Sequence, residues 1–198
     1  MVRRAAAWTG WPLSSQQVDL LRRFGTWLRN EAIEGGGLGP NEAERIEERH
    51  LADSLLFAIG WPPPAPPACV IDLGSGVGLP GVPLAILWPT AKVNLVERGE
   101  RRAALARRGI RTLGIQNVTV TEGDAAHLEG QADLVVARAV AEPEVVGEWA
   151  HSVLGRKGRW VIGGSHHTAP RPSAGEQILA VPPEILDHPV WLRMMAPT

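Results

Sequence analysis

Three acidic residues and one glycine-rich turn are the residues in this sequence best suited to chemistry. Asp72 lies in a short apolar run, Glu97 ends a second run, and Asp124 follows a third. The turn Gly74–Gly81 reads Gly-Ser-Gly-Val-Gly-Leu-Pro-Gly and follows the first run. Glycines allow a sharp turn and a close approach of the backbone to a ligand, because no Cβ intervenes. Carboxylates at strand ends can pair with ribose hydroxyls or accept hydrogen bonds from an amino group.

Each feature also has a purely structural interpretation. The glycine segment can be a simple tight turn, Glu97 can be a surface acid paired with Arg101, and Asp124 can cap a helix. Three acids at the ends of three successive strands are much less expected by chance than any one of them. We therefore favour a shared ligand site.

The pattern of apolar residues predicts the elements that position these acids. Short apolar runs alternate with helical periods, which is typical of parallel βαβ units. Two last strands have no helix between them and are expected to form a hairpin at one edge of the sheet. The sequence thus predicts an α/β fold with a mostly parallel seven-stranded sheet. The strands are expected at 68–73, 92–97, 118–122, 132–137, 159–162, 177–181 and 190–195, and the helices at 81–88, 100–113 and 143–153.

Two further helices are predicted ahead of this sheet. The first starts at Ser14, whose side chain and that of Gln17 can cap each other's backbone N–H groups, and it ends at Gly35–Gly37. The second runs from Asn41 to about Ile59. The five prolines that follow cannot continue a helix. The predicted organisation is a helical appendage at 1–61, a proline-rich linker at 62–67 and the main domain at 68–198.

Composition narrows the class of protein. The chain has 198 residues, a net charge of −1 and one cysteine, Cys69, which excludes a disulfide framework. We interpret Cys69 as a small buried hydrophobe and not as a nucleophile, because the start of a strand is remote from a strand-end cleft.

The adjacent His166 and His167 have no acidic partners nearby, so no metal site is expected. Without a membrane-spanning apolar run or a signal core, the expected location is the cytoplasm.

The glycine turn does not match a dinucleotide-binding fingerprint, since Leu79 stands where its third glycine is required. The pattern Asp-x-Gly-x-Gly-x-Gly over 72–78 instead resembles motif I of class I methyltransferases. The resemblance implies a Rossmann-like fold and S-adenosylmethionine as cofactor. In that arrangement Glu97 would pair with the ribose hydroxyls, and small side chains after Asp124 would lie beside the adenine. The cofactor candidates on this reasoning are Asp72, Gly74, Ser75, Gly76, Glu97, Asp124, Ala125 and Ala126.

Three further segments resemble the RsmG (GidB) family, which methylates N7 of a guanine in bacterial 16S ribosomal RNA. They are Gly78–Leu84, Arg49–Leu55 and Ala137–Ala141, in the family's order. The resemblance implies 16S rRNA or the small ribosomal subunit as partner, and we expect a monomer that makes no membrane contact. It also implies cofactor contacts at Gly74, Leu79, the Ala125–Ala126 backbone and Arg138.

The chain departs from the family at two places. Residues 34–40 are glycine-rich where the family has an Asn-Leu-Thr-like segment, and Gly163–Gly164 replaces a Lys-Gly pair. A methyltransferase of the same fold acting on a small molecule or another RNA therefore stays open as an alternative, as does an NAD-binding oxidoreductase.

The expected chemistry assigns no catalytic residue. Guanine N7 presents a lone pair and carries no proton, so its methylation needs orientation and electrostatics and no general base. Arg138 can contact the cofactor carboxylate or an RNA phosphate, or it can form a structural salt bridge; we favour the contact. For His50 and Asp53 we slightly favour a role in tying the appendage to the main domain over one in shaping the mouth of the cleft.

Overall fold

Five parallel strands and a terminal hairpin form one sheet in the computed structural model, which describes residues 1–164 and 171–195. His166 and His167 lie outside the described residues. The strand order is β3-β2-β1-β4-β5-β7-β6, with β7 antiparallel to both of its neighbours. The predicted seven-stranded, mostly parallel sheet is therefore confirmed. The strands are β1 (Cys69–Leu73), β2 (Lys92–Glu97), β3 (Val118–Glu122), β4 (Ala132–Arg138), β5 (Leu154–Gly164), β6 (Glu176–Ala180) and β7 (Trp191–Met195).

Local sequence explains where the helices between the strands begin and end. The helix between β2 and β3 spans Glu100–Leu113 and ends at Gly114, whose φ of 69° is left-handed. Three of its four buried residues, Ala103, Ala106 and Gly109, are small, so α2 can approach closely; a Cβ on Gly109 would lie 3.0 Å from the Trp27 ring. A short 3₁₀ turn at Ala125–His127 lies between β3 and β4 and is not numbered. The α-helices are numbered along the chain. They are α1 (Val2–Trp8), α2 (Ser15–Trp27), α3 (Asp53–Leu56), α4 (Gly81–Leu87), α5 (Glu100–Leu113) and α6 (Pro143–Val153).

The first predicted helix is confirmed at its start. Ser14 caps α2 by accepting from the Gln17 backbone, and the Gln17 side chain accepts from the Ser14 backbone, which completes a capping box. The helix continues as a π turn over Leu28–Ala32. A helix that the sequence analysis did not predict, α1, precedes it.

The second predicted helix is a series of helical turns of different pitch. It begins as a 3₁₀ helix at Pro40–Arg45, widens to a π helix at Ile46–Ala52, passes through α3 and closes as a 3₁₀ turn at Phe57–Gly60. Leu51, Leu55 and Ala58, which recur at helical spacing, are buried.

The appendage packs directly onto the sheet. Buried residues of α2 and α3 belong to the same hydrophobic cluster as residues of β1, β2 and α4. The appendage and the main domain therefore share one hydrophobic core. The division of the chain into these two parts at the prolines of 62–67 stays a prediction. Cys69 is only half-buried at the start of β1, and burial raises the pKa of its thiol.

Candidate functional site

The turn after β1 depends on glycine at two positions for different reasons. Gly74 and Gly76 both have left-handed φ angles, 68° and 59°. A Cβ on Gly74 would overlap the side chain of Val140, whereas a Cβ on Gly76 would have no neighbour within 4 Å among the residues that the structure describes. Gly74 is therefore fixed by a close contact, and Gly76 borders open space.

Asp72 lies beneath this turn with no exposed surface. Its Oδ2 accepts from the Gly81 backbone N–H at 2.7 Å, which fastens the start of α4 to β1. Its Oδ1 accepts no hydrogen bond within the described residues, and neither does the buried Oγ of Ser75. Burial raises the pKa of Asp72 to about 8, although the Gly81 bond and the charge of Arg138 oppose that rise. The turn thus covers two polar atoms, Asp72 Oδ1 and Ser75 Oγ, that have no hydrogen-bond partner in the described part of the chain.

Glu97 joins the end of β2 to the same turn. Its Oε2 accepts from the Gly76 backbone N–H at 2.9 Å, and its Oε1 accepts from the Gly99 backbone N–H at 2.7 Å. Arg102 also donates to Oε1, at 2.7 Å. Glu97 is only 2% exposed, so it is not a surface acid, and its ion-pair partner is Arg102, not Arg101.

Asp124 follows β3, and its position is compatible with both interpretations given to it, a cap of a helical turn and a residue of a ligand site. Its Oδ1 accepts from the Ala126 backbone N–H at 3.0 Å, so it caps the short 3₁₀ turn. The same residue lines a cavity of about 180 Å³ at the carboxyl ends of the strands.

This cavity brings together part of the predicted site. Gly74, Glu97, Asp124 and Ala125 line it, whereas Leu79 is buried in the hydrophobic core. Sequence reasoning missed several other residues of the lining. The missed residues include Arg98, Arg102, Val140 and Trp149.

Some of these residues could have been predicted from their position just after the end of a strand. Arg98 follows Glu97 directly, and Val140 lies two residues beyond β4 after Ala139, a non-glycine residue with a φ of 52°. Trp149 lies in the middle of α6, where no local sequence signal marks it. Only the packing of α6 beside β4 and β5 brings it to the cavity.

Arg138 ends β4 and binds the appendage. Its Nη1 donates to the Arg49 carbonyl at 2.9 Å and to Asp53 Oδ2 at 3.2 Å. Its Nη2 lies 3.4 Å from His50 Nδ1. The expected role of His50 and Asp53 in tying the appendage to the main domain is therefore confirmed. A contact of Arg138 with cofactor or RNA stays a prediction.

Two other classes of site receive no support from the described residues. No group of three or more His, Cys, Asp or Glu side chains within 1–164 and 171–195 could hold a metal ion. Among the helices described, none has the length and apolar character needed to cross a membrane.

The sheet order, the antiparallel β7 and the glycine turn after β1 define the class I methyltransferase fold. A solved structure with a similar fold is the ribosomal protein L11 methylase from Lactobacillus delbrueckii subsp. bulgaricus. It is 18% identical, with a TM-score of 0.52 over 67% of this chain and 72% of that one.

The family follows from the sequence. The model of the family described as "GidB: rRNA small subunit methyltransferase G" matches residues 17–169, so the chain belongs to this family. Two relatives are named ribosomal RNA small subunit methyltransferase G. The protein from Acidothermus cellulolyticus is 39% identical over 71% of this chain and 60% of its own length. That from Thermobifida fusca is 40% identical over 74% and 61%. The aligned region thus spans about three fifths of these relatives.

Proposed function

We propose that the protein is an S-adenosylmethionine-dependent methyltransferase that methylates N7 of a guanine in 16S rRNA of the small ribosomal subunit. The family match over residues 17–169 and the names of the relatives support this activity and this substrate. The structural observation that carries the proposal is the cavity between Gly74, Glu97 and Asp124, at the edge where α/β sheets bind ligands.

The residues around the turn fit this cofactor. S-adenosylmethionine carries an amino-acid end with an ammonium and a carboxylate, a cationic sulfonium and a neutral adenosine, so its site needs acceptors for the ammonium at one end and flat, small surfaces at the other. Asp72 Oδ1 and Ser75 Oγ are buried acceptor atoms that no group among the described residues occupies. Gly76 leaves open space above the turn, and the small, buried Ala125 borders the cavity.

Each strand end then has a part in holding the cofactor. Glu97 would bind the ribose hydroxyls, most readily through Oε2, which accepts only one hydrogen bond from the protein. Asp124 and the Ala125–Ala126 backbone would border the adenine. Gly74, Leu79 and Arg138 complete the proposed contact set.

The chain's contribution to catalysis would be placement. Bound S-adenosylmethionine supplies an electrophilic methyl group on a sulfonium, and guanine N7 supplies a lone pair with no proton to remove. Of the described residues that line the cavity, none is His, Cys or Lys. The lining is therefore suited to orient two reactants in line and to exclude water, which is the contribution this reaction requires.

Calorimetry tests the cofactor. The full chain should bind S-adenosylhomocysteine, and NAD should give no heat of binding. Binding of NAD with no response to S-adenosylhomocysteine would overturn the assignment in favour of an oxidoreductase.

The substrate needs a separate experiment. Deleting the gene in its host should remove one N7-methylguanosine from small-subunit rRNA, detected by borohydride–aniline cleavage followed by reverse transcription. Restoring the intact gene should return that site, and a Glu97→Ala gene should not. A map that is the same with and without the gene would reject the rRNA substrate while leaving the cofactor assignment intact.

A further inference from the structure

A buried row of hydrogen bonds runs from the appendage to the end of β4. His50 Nε2 lies 2.9 Å from Glu42 Oε2, and His50 Nδ1 lies 3.4 Å from Arg138 Nη2. The His50 side chain is 9% exposed and that of Arg138 is 16% exposed. The three residues come from a 3₁₀ turn, a π helix and a strand end, so only the folded chain brings them together.

The direction of these bonds follows from the protonation of His50. Burial first, and the charge of Arg138 second, lower the pKa of His50 to about 4, so the imidazole is neutral near pH 7. A carboxylate can only accept, so Nε2 carries the proton toward Glu42. Nδ1 then presents its lone pair to the guanidinium. Arg138 thus donates to His50, and His50 donates to Glu42.

These contacts leave one edge of the Arg138 guanidinium unused. Nη1 donates to the Arg49 carbonyl and to Asp53, and one proton of Nη2 faces His50. Within residues 1–164 and 171–195, the Nε–H donates to no atom and Nη2 makes no hydrogen bond besides the one with His50. This is the side-on edge with which arginine binds a carboxylate through two parallel hydrogen bonds.

The Arg138 guanidinium lies close to the glycine turn. The charge of Arg138 acts on the buried carboxyl of Asp72, and the residues that follow Arg138, Ala139 and Val140, line the cavity. The amino-acid end of S-adenosylmethionine carries a carboxylate, which matches this edge in charge and in geometry.

We propose that Glu42 and His50 are positioning residues, which hold Arg138 so that its Nε–Nη2 edge binds the carboxylate of the cofactor. The inference rests on the proposed function, which already includes Arg138, and adds to it the two residues that position the Arg138 guanidinium. Without the imidazole lone pair, the guanidinium would keep its Nη1 contacts and could rotate about them, so the bidentate geometry would be lost. Glu42 acts through His50 by fixing the orientation of the ring.

The test compares two ligands that differ only at the amino-acid end. S-adenosylhomocysteine has the carboxylate, and 5′-methylthioadenosine has the same adenosine and thioether without it. In His50→Leu, the dissociation constant for S-adenosylhomocysteine should rise roughly tenfold, while that for 5′-methylthioadenosine stays within about twofold of wild type. If a folded His50→Leu protein binds both ligands more weakly by the same factor, or keeps the wild-type preference, the proposal is overturned.

A second pair of variants carries the test if His50→Leu does not fold. Glu42→Leu removes the acceptor for Nε2–H and should lower the preference for S-adenosylhomocysteine in the same direction. Glu42→Gln keeps an acceptor oxygen and should retain most of it. Glu48→Gln is the matched control, because Glu48 lies on the same π helix as His50 but bonds His188 and the Asp187 backbone. A preference in Glu42→Leu equal to that of wild type would reject the proposal, whereas a wild-type chain that binds neither ligand would reject the proposed function itself.

Discussion

The backbone N–H of Gly76 donates to the carboxylate of Glu97 at 2.9 Å, so the turn after β1 and the end of β2 form one hydrogen-bonded unit. Each part supplies hydrogen-bond partners that the other part needs. The turn needs an acceptor for an inward N–H group, and Glu97 needs donors to compensate for its burial. A ligand bound across these strand ends would therefore meet a site that is already organised.

Removing the Glu97 carboxylate should damage both the unit and the ligand site. In Glu97→Ala the N–H groups of Gly76 and Gly99 lose their acceptor, which is expected to lower the free energy of unfolding by about 1–3 kcal/mol. Affinity for S-adenosylhomocysteine should fall at least roughly tenfold, because the ribose loses a charged acceptor. Denaturant unfolding and calorimetry measure the two effects. Glu100→Ala, an exposed change three residues away, is the control, and equal affinity in both variants would contradict the role of Glu97.

The contact between Gly74 and Val140 predicts a rescue by a second substitution. Gly74→Ala should abolish binding of S-adenosylhomocysteine, because the new Cβ would overlap the Val140 side chain at a left-handed φ. Val140→Ala removes the overlapping Cγ2 methyl group but keeps the Val140 Cβ, 2.6 Å from the new Cβ, so the double variant should regain only part of the affinity. The backbone strain of about 1–2 kcal/mol would remain.

Gly76→Ala is the comparison for that pair. It introduces the same strain but no contact within 4 Å, so Val140→Ala should bring it no benefit. If the second substitution helped both glycine variants equally, the contact with Val140 would not be the reason for the glycine at 74.

The buried carboxyl of Asp72 predicts a specific dependence of stability on pH. Its pKa is raised from 3.8 to about 8, so between these values the folded protein holds a proton that the unfolded chain releases. The contribution of Asp72 to the free energy of unfolding should therefore fall as pH rises from about 4 to about 8, and level off above that. Asp72→Asn keeps an acceptor for the Gly81 N–H and does not titrate. The variant should gain stability relative to wild type as pH rises, which denaturant unfolding between about pH 5 and pH 9 measures; a constant difference would show that Asp72 is ionised throughout.

Much of the sheet was predictable because its signals are local. The bounds of β2, α5, β3 and α6 match the predictions, since period, glycine and proline mark their ends. The extent of β5 was not: 159–162 was expected and Leu154–Gly164 is observed. Its first half is rich in glycine and charge, and it pairs with β4 through a register shift that no local pattern encodes.

The helix α1 in the appendage could not be predicted from the sequence either, because no local signal marks it. Its N-cap, Met1, makes no side-chain cap, and its stabilising contacts are tertiary, because Ala5 and Ala6 are fully buried. In the candidate site, the strand-end acids were predictable from position. The partner of Glu97 and the place of Trp149 in the cavity depend on how helices pack, which the sequence pattern does not specify.

Glycine at position 163, where the resemblance implied a lysine, has a packing reason that can be tested. A Cβ on Gly163 would overlap the ring of Phe57, a fully buried residue at the end of the appendage. A lysine at 163 therefore does not fit, and Gly163→Ala alone is expected to lower the free energy of unfolding by about 1–3 kcal/mol. Phe57→Leu should reduce that loss, since a smaller side chain leaves room for the new Cβ. If Gly163→Ala is as stable as wild type, the ring can shift at little cost, and Phe57 is not what keeps a larger residue out of this position.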